Sequence, residues 1–142
     1  MAITTTQVVD DSFKTITFGK GTGNENEQTF VKTESLLNAS SEPKVSIANI
    51  EYEIIGTGTC TLFFKNDTTK KVEISGRGNY GLKPNEEKIK NVVGDILLSS
   101  DSNVSTYNII LETHKEEGFN GWYSNKSNYS RYIWSKVYSK TD

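Results

Sequence analysis

Residues 44–55 read KVSIANIEYEII, the longest alternation of apolar and polar side chains in the chain. The apolar positions change parity halfway along this stretch, and they are Val45 and Ile47, then Ile50, Tyr52 and Ile54. Successive side chains of a β-strand point to opposite faces, so one extra residue at Ala48 or Asn49 would keep both sets on the same face. We therefore expect a long strand with a β-bulge, in which Glu51 and Glu53 face water.

Shorter runs with the same two-residue period lie on either side of this stretch. Downstream, the positions expected to face inward are Cys60, Leu62, Phe64, Val72, Ile74, Tyr107, Ile109 and Leu111. Upstream, Phe13, Ile16 and Phe18 form a short patterned run. Polar or glycine-containing turns separate the runs, for example at residues 56–58 and 101–103. About seven or eight strands, with turns roughly every 8–15 residues, predict an antiparallel β-sandwich or a jelly roll.

The composition favours the same fold class. Val, Ile and Thr together occur 37 times among the 142 residues, whereas Ala, Leu and Met together occur 11 times. The first set is typical of strands and the second of helices, so we expect an all-β fold and exclude a helical bundle. The chain has the length of one ordinary domain, and folding can bury about two-thirds of its surface.

Charge, hydropathy and cysteine content narrow the classes of function. The formal net charge is −2, whereas general nucleic-acid binders carry a basic face. No run of residues approaches the roughly 18 apolar positions that a membrane-spanning helix needs. The first residues lack the basic and apolar regions of a secretory signal, and Cys60 is the single cysteine. We therefore expect no internal disulfide, folding in a reducing cytoplasm, and neither nucleic acid nor membrane as a partner.

Two glycine-rich runs look like phosphate-binding motifs but lack the context that such motifs require. Residues 76–81 read GRGNYG, which matches the dinucleotide fingerprint letter for letter. That fingerprint needs a strand before it and a helix after it, whereas Pro84 and a charged run follow here. Residues 19–23 read GKGTG without the Walker spacing. Both runs are predicted to be loops, and no cofactor is expected.

Side chains with catalytic or metal-binding chemistry are scattered along the chain. His114 is the only histidine, and Cys60 falls among apolar neighbours on the inward face of its strand. Residues 24–27 and 101–103 offer oxygen ligands without the spacing of a calcium loop, so solvated turns are the simpler interpretation. The two glutamates of the long strand would lie roughly 7 Å apart on an exposed sheet face. The sequence thus predicts no catalytic residues and no metal site.

The last part of the chain differs in composition from the rest. Residues 1–117 carry 12 basic and 17 acidic side chains, whereas residues 118–140 carry four basic side chains and no acidic one. Its candidate partner-binding residues are Phe119, Trp122, Tyr123, Tyr129, Arg131, Tyr132, Trp134 and Tyr138. Aromatic side chains and arginine are enriched where proteins bind one another. We predict a β-sandwich domain over residues 1–117, including the N-terminal β segment, and an aromatic, basic docking segment over residues 118–142.

Four short segments carry a resemblance to a known class of proteins. They are residues 3–7 (ITTTQ), 50–58 (IEYEIIGTG), 94–99 (GDILLS) and 107–112 (YNIILE). Over about residues 1–120, the chain resembles small virion structural proteins of tailed bacteriophages and is similar to their capsid decoration (cement) proteins. The resemblance does not extend to the aromatic segment.

The resemblance implies a β-sandwich without catalytic activity, which binds the outer surface of the major capsid lattice and stabilises the head. The implied partners are the major capsid protein and neighbouring copies of the chain. The implied location is the exterior of the phage head, after synthesis in the host cytoplasm.

Several interpretations stay open at this point. In the first, the N-terminal β segment and the aromatic segment of a decoration protein reach neighbouring subunits. The alternative is a carbohydrate-binding or fibre-type virion module, in which Trp122, Tyr123 and Trp134 stack on sugars. The rings could also cover the end of their own sandwich. Stacking on single-stranded nucleic acid is disfavoured by the acidity of residues 1–117, and a hydrolase would rest on exposed carboxylates alone.

Overall fold

The structure, a computed structural model, describes residues 3–81 and 88–120, and these residues form ten β-strands. The strands are β1 (Thr4–Asp10), β2 (Lys14–Thr22), β3 (Gln28–Val31), β4 (Lys44–Gly56), β5 (Cys60–Phe64), β6 (Asp67–Ile74), β7 (Arg77–Tyr80), β8 (Val92–Val93), β9 (Ile96–Ser100) and β10 (Val104–Lys115). The one helical element in this part of the chain is a single 3-10 turn, η1 (Thr33–Ser35). No helix among the described residues is long and apolar enough to cross a membrane.

The strands form two antiparallel sheets that pack face to face. The first sheet has the strand order β1-β2-β10-β4-β7, and β8 pairs with the beginning of β4. The second sheet has the order β3-β9-β5-β6. Side chains from both sheets share one buried core, so the structure confirms the predicted all-β sandwich.

Strand β4 contains the bulge that its sequence predicts. In its pairing with β10, Glu112 lies opposite Asn49 and Thr113 lies opposite Ile47, so Ala48 is the extra residue. The apolar side chains on both sides of the bulge are therefore buried, and they include Val45, Ile47, Ile50 and Ile54. The inward positions predicted on β5, β6 and β10 are buried as well, so this part of the prediction is confirmed.

Both glycine-rich runs form strands, so the prediction that they are loops is wrong. Residues 19–22 belong to β2, and residues 77–80 form β7, which pairs with β4 at the edge of the first sheet. A Cβ atom at Gly19 would overlap the ring of Phe30, and one at Gly21 would overlap a buried carboxylate and a tyrosine hydroxyl. Glycine is required in β2 because core side chains pass close over the strand, rather than because the backbone turns there.

Strand β2 turns its apolar side chains away from the core. Thr15 and Thr17 are buried, whereas Ile16 and Phe18 lie on the outer face of the first sheet. The Oγ1 atoms of Thr15 and Thr113 lie 2.5 Å apart and form a hydrogen bond inside the sandwich. The outer face of the first sheet therefore carries apolar side chains among its polar ones.

Candidate docking end of the sandwich

Among the candidate partner-binding residues, the structure describes Phe119 alone. The others lie outside the described residues, namely Trp122, Tyr123, Tyr129, Arg131, Tyr132, Trp134 and Tyr138. Phe119 is 5% exposed, its backbone forms an isolated bridge with Ala39, and its ring joins the hydrophobic core. This ring therefore contributes to the core at this end of the sandwich.

The folded body continues past residue 117, where the sequence analysis places the domain boundary. Ser40 donates two hydrogen bonds to the carbonyl oxygen of Gly118, from its backbone nitrogen at 2.9 Å and from its hydroxyl at 2.8 Å. The backbone nitrogen of Asn120 donates to the carbonyl oxygen of Asn38 at 2.5 Å. The first three residues of the predicted docking segment are thus attached to the loop that follows η1.

The side chain of Lys115 connects three parts of this end from within. It is fully buried, and its Nζ donates to Asp10 Oδ1 and to the Asp11 carbonyl oxygen at 2.6 Å each, and to the Leu37 carbonyl oxygen at 2.8 Å. An ammonium group has three donors, so each donor has a partner. Nζ also lies 5.2 Å from the centre of the Phe119 ring, which is within cation–π range. One side chain therefore joins the β1–β2 turn, the loop after η1 and the segment after β10.

Asp10 and Asp11 add further bonds to the same loops. The Oδ1 atom of Asp11 accepts hydrogen bonds from the backbone nitrogens of Phe13 and Lys14, at 2.8 and 2.9 Å. These bonds, first of all the one from Phe13, hold the pKa of the Asp11 carboxyl below its usual value. The Oδ2 atom of Asp10 accepts from the backbone nitrogen of Leu37 at 2.9 Å. The loops of this end are therefore held in one arrangement by their own polar groups.

Three large apolar side chains are exposed on strand β1, on the β1–β2 turn and on the loop after η1. Val8 is 61% exposed, Phe13 is 50% exposed and Leu37 is 48% exposed. The backbone oxygens of Phe13 and Leu37 accept hydrogen bonds from Lys115, and Val8 is the extra residue of a bulge two positions before Asp10. These three side chains are termed the end patch. Exposed apolar side chains gathered on rigid loops are typical of a binding surface.

Neither the end patch nor the burial of Lys115 is predicted by the sequence pattern. Lys115 is the last residue of β10, and a lysine at the end of a strand usually faces water. The residues next to it in sequence do not predict that its ammonium group is buried among hydrogen-bond acceptors. One signal was present in the apolar pair Leu36 and Leu37, which interrupts a segment otherwise typical of a polar connection. Leu36 enters the core and Leu37 belongs to the end patch.

Among the described residues, the side chains with reactive groups do not gather in one cluster. Cys60 is fully buried, and this burial raises the pKa of its thiol to about 12, which keeps the thiol protonated. The exposed His114 has its Nε2 atom 3.0 Å from Glu112 Oε2. Glu53 forms an ion pair on the outer face of the first sheet. Within the described part of the chain, no three His, Cys, Asp or Glu side chains come together as metal ligands.

At the other end of β10, residues 24–27 were predicted to be a solvated turn, yet they contain a buried carboxylate. Glu25 is 4% exposed, and its Oε2 atom accepts from the Tyr107 hydroxyl at 2.8 Å and from the backbone nitrogen of Thr22 at 3.2 Å. Burial, together with Glu25, raises the pKa of Tyr107 above its usual value. A run of Asn and Glu is typical of an exposed turn, so this network could not be read from the pattern.

No protein-family model matches the sequence, and no curated protein matches it either. Neither comparison therefore supplies a relative whose site residues could be carried over to this chain. The function proposed below rests on the geometry of the end patch and on the resemblance carried by the four short segments.

Proposed function

We propose that the chain is a non-catalytic capsid decoration protein of a tailed bacteriophage, which binds the outer surface of the major capsid lattice and stabilises the head. Its partners are then the major capsid protein and neighbouring copies of itself. Its location is the exterior of the phage head, after synthesis in the host cytoplasm. The resemblance carried by the four short segments supports this proposal. The end patch and the hydrogen-bonded loops around Lys115 support it as well.

The observation that carries the proposal is that the end patch and the start of the aromatic, basic segment lie at the same end of the sandwich. Asn120 is attached to Asn38 beside the loops of the end patch, and residues 121–142 follow from there. Loops that are already ordered lose less entropy on binding than loops that must order first. Aromatic anchors contribute much of the binding energy at protein interfaces. The end patch and the rings of the segment would thus form one docking surface.

Charge and an open strand edge support contacts between neighbouring copies. Residues 1–117 have an excess of acidic side chains, whereas residues 118–140 have basic ones only, so the segment of one copy complements the body of the next. Among the described residues, β1 pairs with β2 alone, and its first five residues are exposed. An open edge of this kind can accept a strand from a neighbour.

Binding to phage heads assembled without this protein tests the proposal. The heads are incubated with purified protein, sedimented and imaged by cryo-electron microscopy. We expect the intact protein to occupy a regular site on the lattice, and a variant that lacks residues 121–142 to bind at least about tenfold more weakly. The double variant Phe13→Ser/Leu37→Ser should also bind more weakly, because it removes apolar area from the docking surface.

Ile55→Ser is the matched control for this experiment. Ile55 is 45% exposed, and it lies at the end of β4 that is remote from Lys115. Circular dichroism and thermal unfolding establish that each variant remains folded. Unchanged binding of both the truncated protein and the double variant, with both folded, would contradict the proposal.

A further inference from the structure

A groove of about 410 Å³ crosses the outer face of the first sheet. It shares Asn108 with a neighbouring hollow of about 440 Å³, which extends over β2 to β1. The strand register aligns a row of polar side chains along this depression, and they are Lys20, Asn108, Glu53 and Arg77. Neighbouring strands lie about 4.8 Å apart, so the row is roughly 14 Å long.

A second row runs beside the first, two residues further along each strand. It consists of Phe18, Ile110, Glu51 and Asn79, which face one another across the same four strands. Ile110 is 41% exposed and Phe18 is half-buried. The two rows lie about 7 Å apart, so an apolar strip is placed next to a line of hydrogen-bonding groups.

The backbone N–H and C=O groups beneath the groove already form the hydrogen bonds of the sheet. Strands β2, β10 and β4 each have a hydrogen-bonded strand on both sides. An extended peptide joins a sheet by pairing with an open edge, and a ligand lying across the strands finds no free backbone ladder. A ligand in this groove is therefore recognised by side chains.

The charges that line the groove balance each other. Lys20 and Arg77 are basic, Glu51 and Glu53 are acidic, and Arg77 forms an ion pair with Glu53. A polyanion such as a nucleic acid would meet two carboxylates here instead of a basic track. A neutral ligand is the better match for a lining without net charge.

We propose that this groove binds a neutral oligosaccharide that lies across the strands of the first sheet. Sugar hydroxyls both donate and accept hydrogen bonds, which suits a lining of carboxylate, amide and cationic side chains. The apolar C–H face of a pyranose ring suits the strip formed by Phe18 and Ile110. None of the groove's lining residues belongs to the end patch, so this assignment does not depend on the proposed capsid binding.

Nuclear magnetic resonance titration of the isotope-labelled full-length chain tests this assignment. The probes are the neutral hexasaccharides of cellulose, amylose, xylan and chitin. We expect one of these glycans to shift the backbone resonances of Phe18, Asn108 and Ile110. Phe18→Ala and Asn108→Ala should each weaken its binding by about tenfold, because each removes one stacking or hydrogen-bonding contact.

Lys71→Ala serves as the control, because Lys71 is exposed on the second sheet. Glu51→Gln is a further groove variant that keeps side-chain volume, and it provides the comparison if Phe18→Ala does not fold. The assignment is overturned if no probe binds, if the shifts are confined to residues 121–142, or if a hexanucleotide binds more tightly than every glycan. Binding of Phe18→Ala to phage heads should be normal, so failure of this assignment is distinguishable from failure of the capsid proposal.

Discussion

A buried charged side chain lies at each end of β10, Lys115 at one end and Glu25 at the other. The two differ in how many of their polar atoms have a hydrogen-bond partner. Lys115 has an acceptor for each of its three donors. Glu25 uses its Oε2 atom for two hydrogen bonds, while its buried Oε1 atom has no partner in the part of the chain that the structure describes. About 27 Å of strand separates Lys115 from Tyr107, which binds Glu25. The completely paired charge belongs to the end that carries the end patch.

How completely a buried charged group is paired decides what it contributes to the stability of the fold. Removing a charge from water costs several kcal/mol, and this cost is offset where every donor or acceptor of the group has a partner. Lys115 connects segments that are 105 and 78 residues away in sequence, so loops from distant parts of the chain depend on one ammonium group. Glu25 also reaches distant residues, namely Tyr107 and Ser100, which are 82 and 75 positions away. Its side chain, however, makes two hydrogen bonds, whereas that of Lys115 makes three. Loss of Lys115 should therefore disturb more of the molecule than loss of a bond at Glu25.

The largest expected effect comes from Lys115→Met, which keeps the length of the side chain and removes its charge. It removes the ammonium donor from Asp10 Oδ1 and from two carbonyl oxygens, and loss of one partner of a buried ion pair costs about 3–5 kcal/mol. We expect a loss of about 3 kcal/mol in the free energy of unfolding, since the Asp10 side chain is 24% exposed and can turn to water. Urea unfolding followed by circular dichroism measures this loss.

Lys44→Met is the matched control for that measurement. Lys44 pairs with Glu117 at 3.5 Å, and the two side chains are 34% and 68% exposed. Exposed pairs contribute about 0–1 kcal/mol, so this control should change stability little. Equal losses in the two variants would remove the distinction between a completely paired buried cation and an ordinary surface pair.

The second effect is expected at the other end of β10, from Tyr107→Phe. This change removes the hydroxyl that donates to Glu25 and leaves a buried carboxylate with one donor fewer. Hydrogen bonds to charged groups contribute about 1.5–3 kcal/mol, so we expect a loss in that range by urea unfolding. Tyr52→Phe, at the edge of the core, is the control. If Tyr107→Phe were as harmless as the control, the Glu25 network would contribute nothing to the stability of its end.

The fold was predictable where apolar spacing is unambiguous. The parity change in β4 requires an extra residue, and the bulge at Ala48 is what a strand with one buried face must form. In β2 the spacing of apolar residues was not informative, because Thr15 and Thr17 count as polar in any pattern, yet they are buried. A hydroxyl can enter a core when it finds a hydrogen bond, as Thr15 does with Thr113. A spacing rule contains no information about such partners.

The candidate site was less predictable than the fold, because it depends on contacts between distant segments. Val8 is exposed at a bulge in β1, and Phe13 and Leu37 are exposed on loops that are hydrogen-bonded to Lys115. Composition sets the aromatic segment apart from the rest of the chain, but it does not reveal that the ring of Phe119 joins the core. Local sequence shows which side chains are able to bind, whereas tertiary contacts decide which of them remain available.

The third prediction is that high pH lowers the stability of the fold through buried groups near Glu25. Burial raises the pKa of Cys60 from 9.0 to about 12, and the pKa of Tyr107 is raised as well. The unfolded chain releases the thiol proton near pH 9, while the folded chain retains it, so stability should fall as the pH rises above about 9. We expect a loss of about 1 kcal/mol between pH 9 and pH 10, measured by urea unfolding. Cys60→Ala should reduce this pH dependence, and an unchanged slope would count against the buried thiol as its cause.

The smallest expected effect is the loss, at low pH, of the stability that the Asp11 carboxylate contributes to the β1–β2 turn. The pKa of this exposed carboxyl is lowered by the hydrogen bonds from Phe13 and Lys14, so its contribution is present above the usual pKa near 3.8 and is lost as the pH falls through the lowered value. Asp11→Ala should therefore cost about 0.5 kcal/mol at pH 7 and almost nothing at about pH 2. Asp11→Asn keeps an acceptor oxygen for the turn and should lie between the two proteins at pH 7. A cost for Asp11→Ala that stays constant with pH would mean that the turn is held without the carboxylate charge, and that the rigidity of the end patch depends on Lys115 alone.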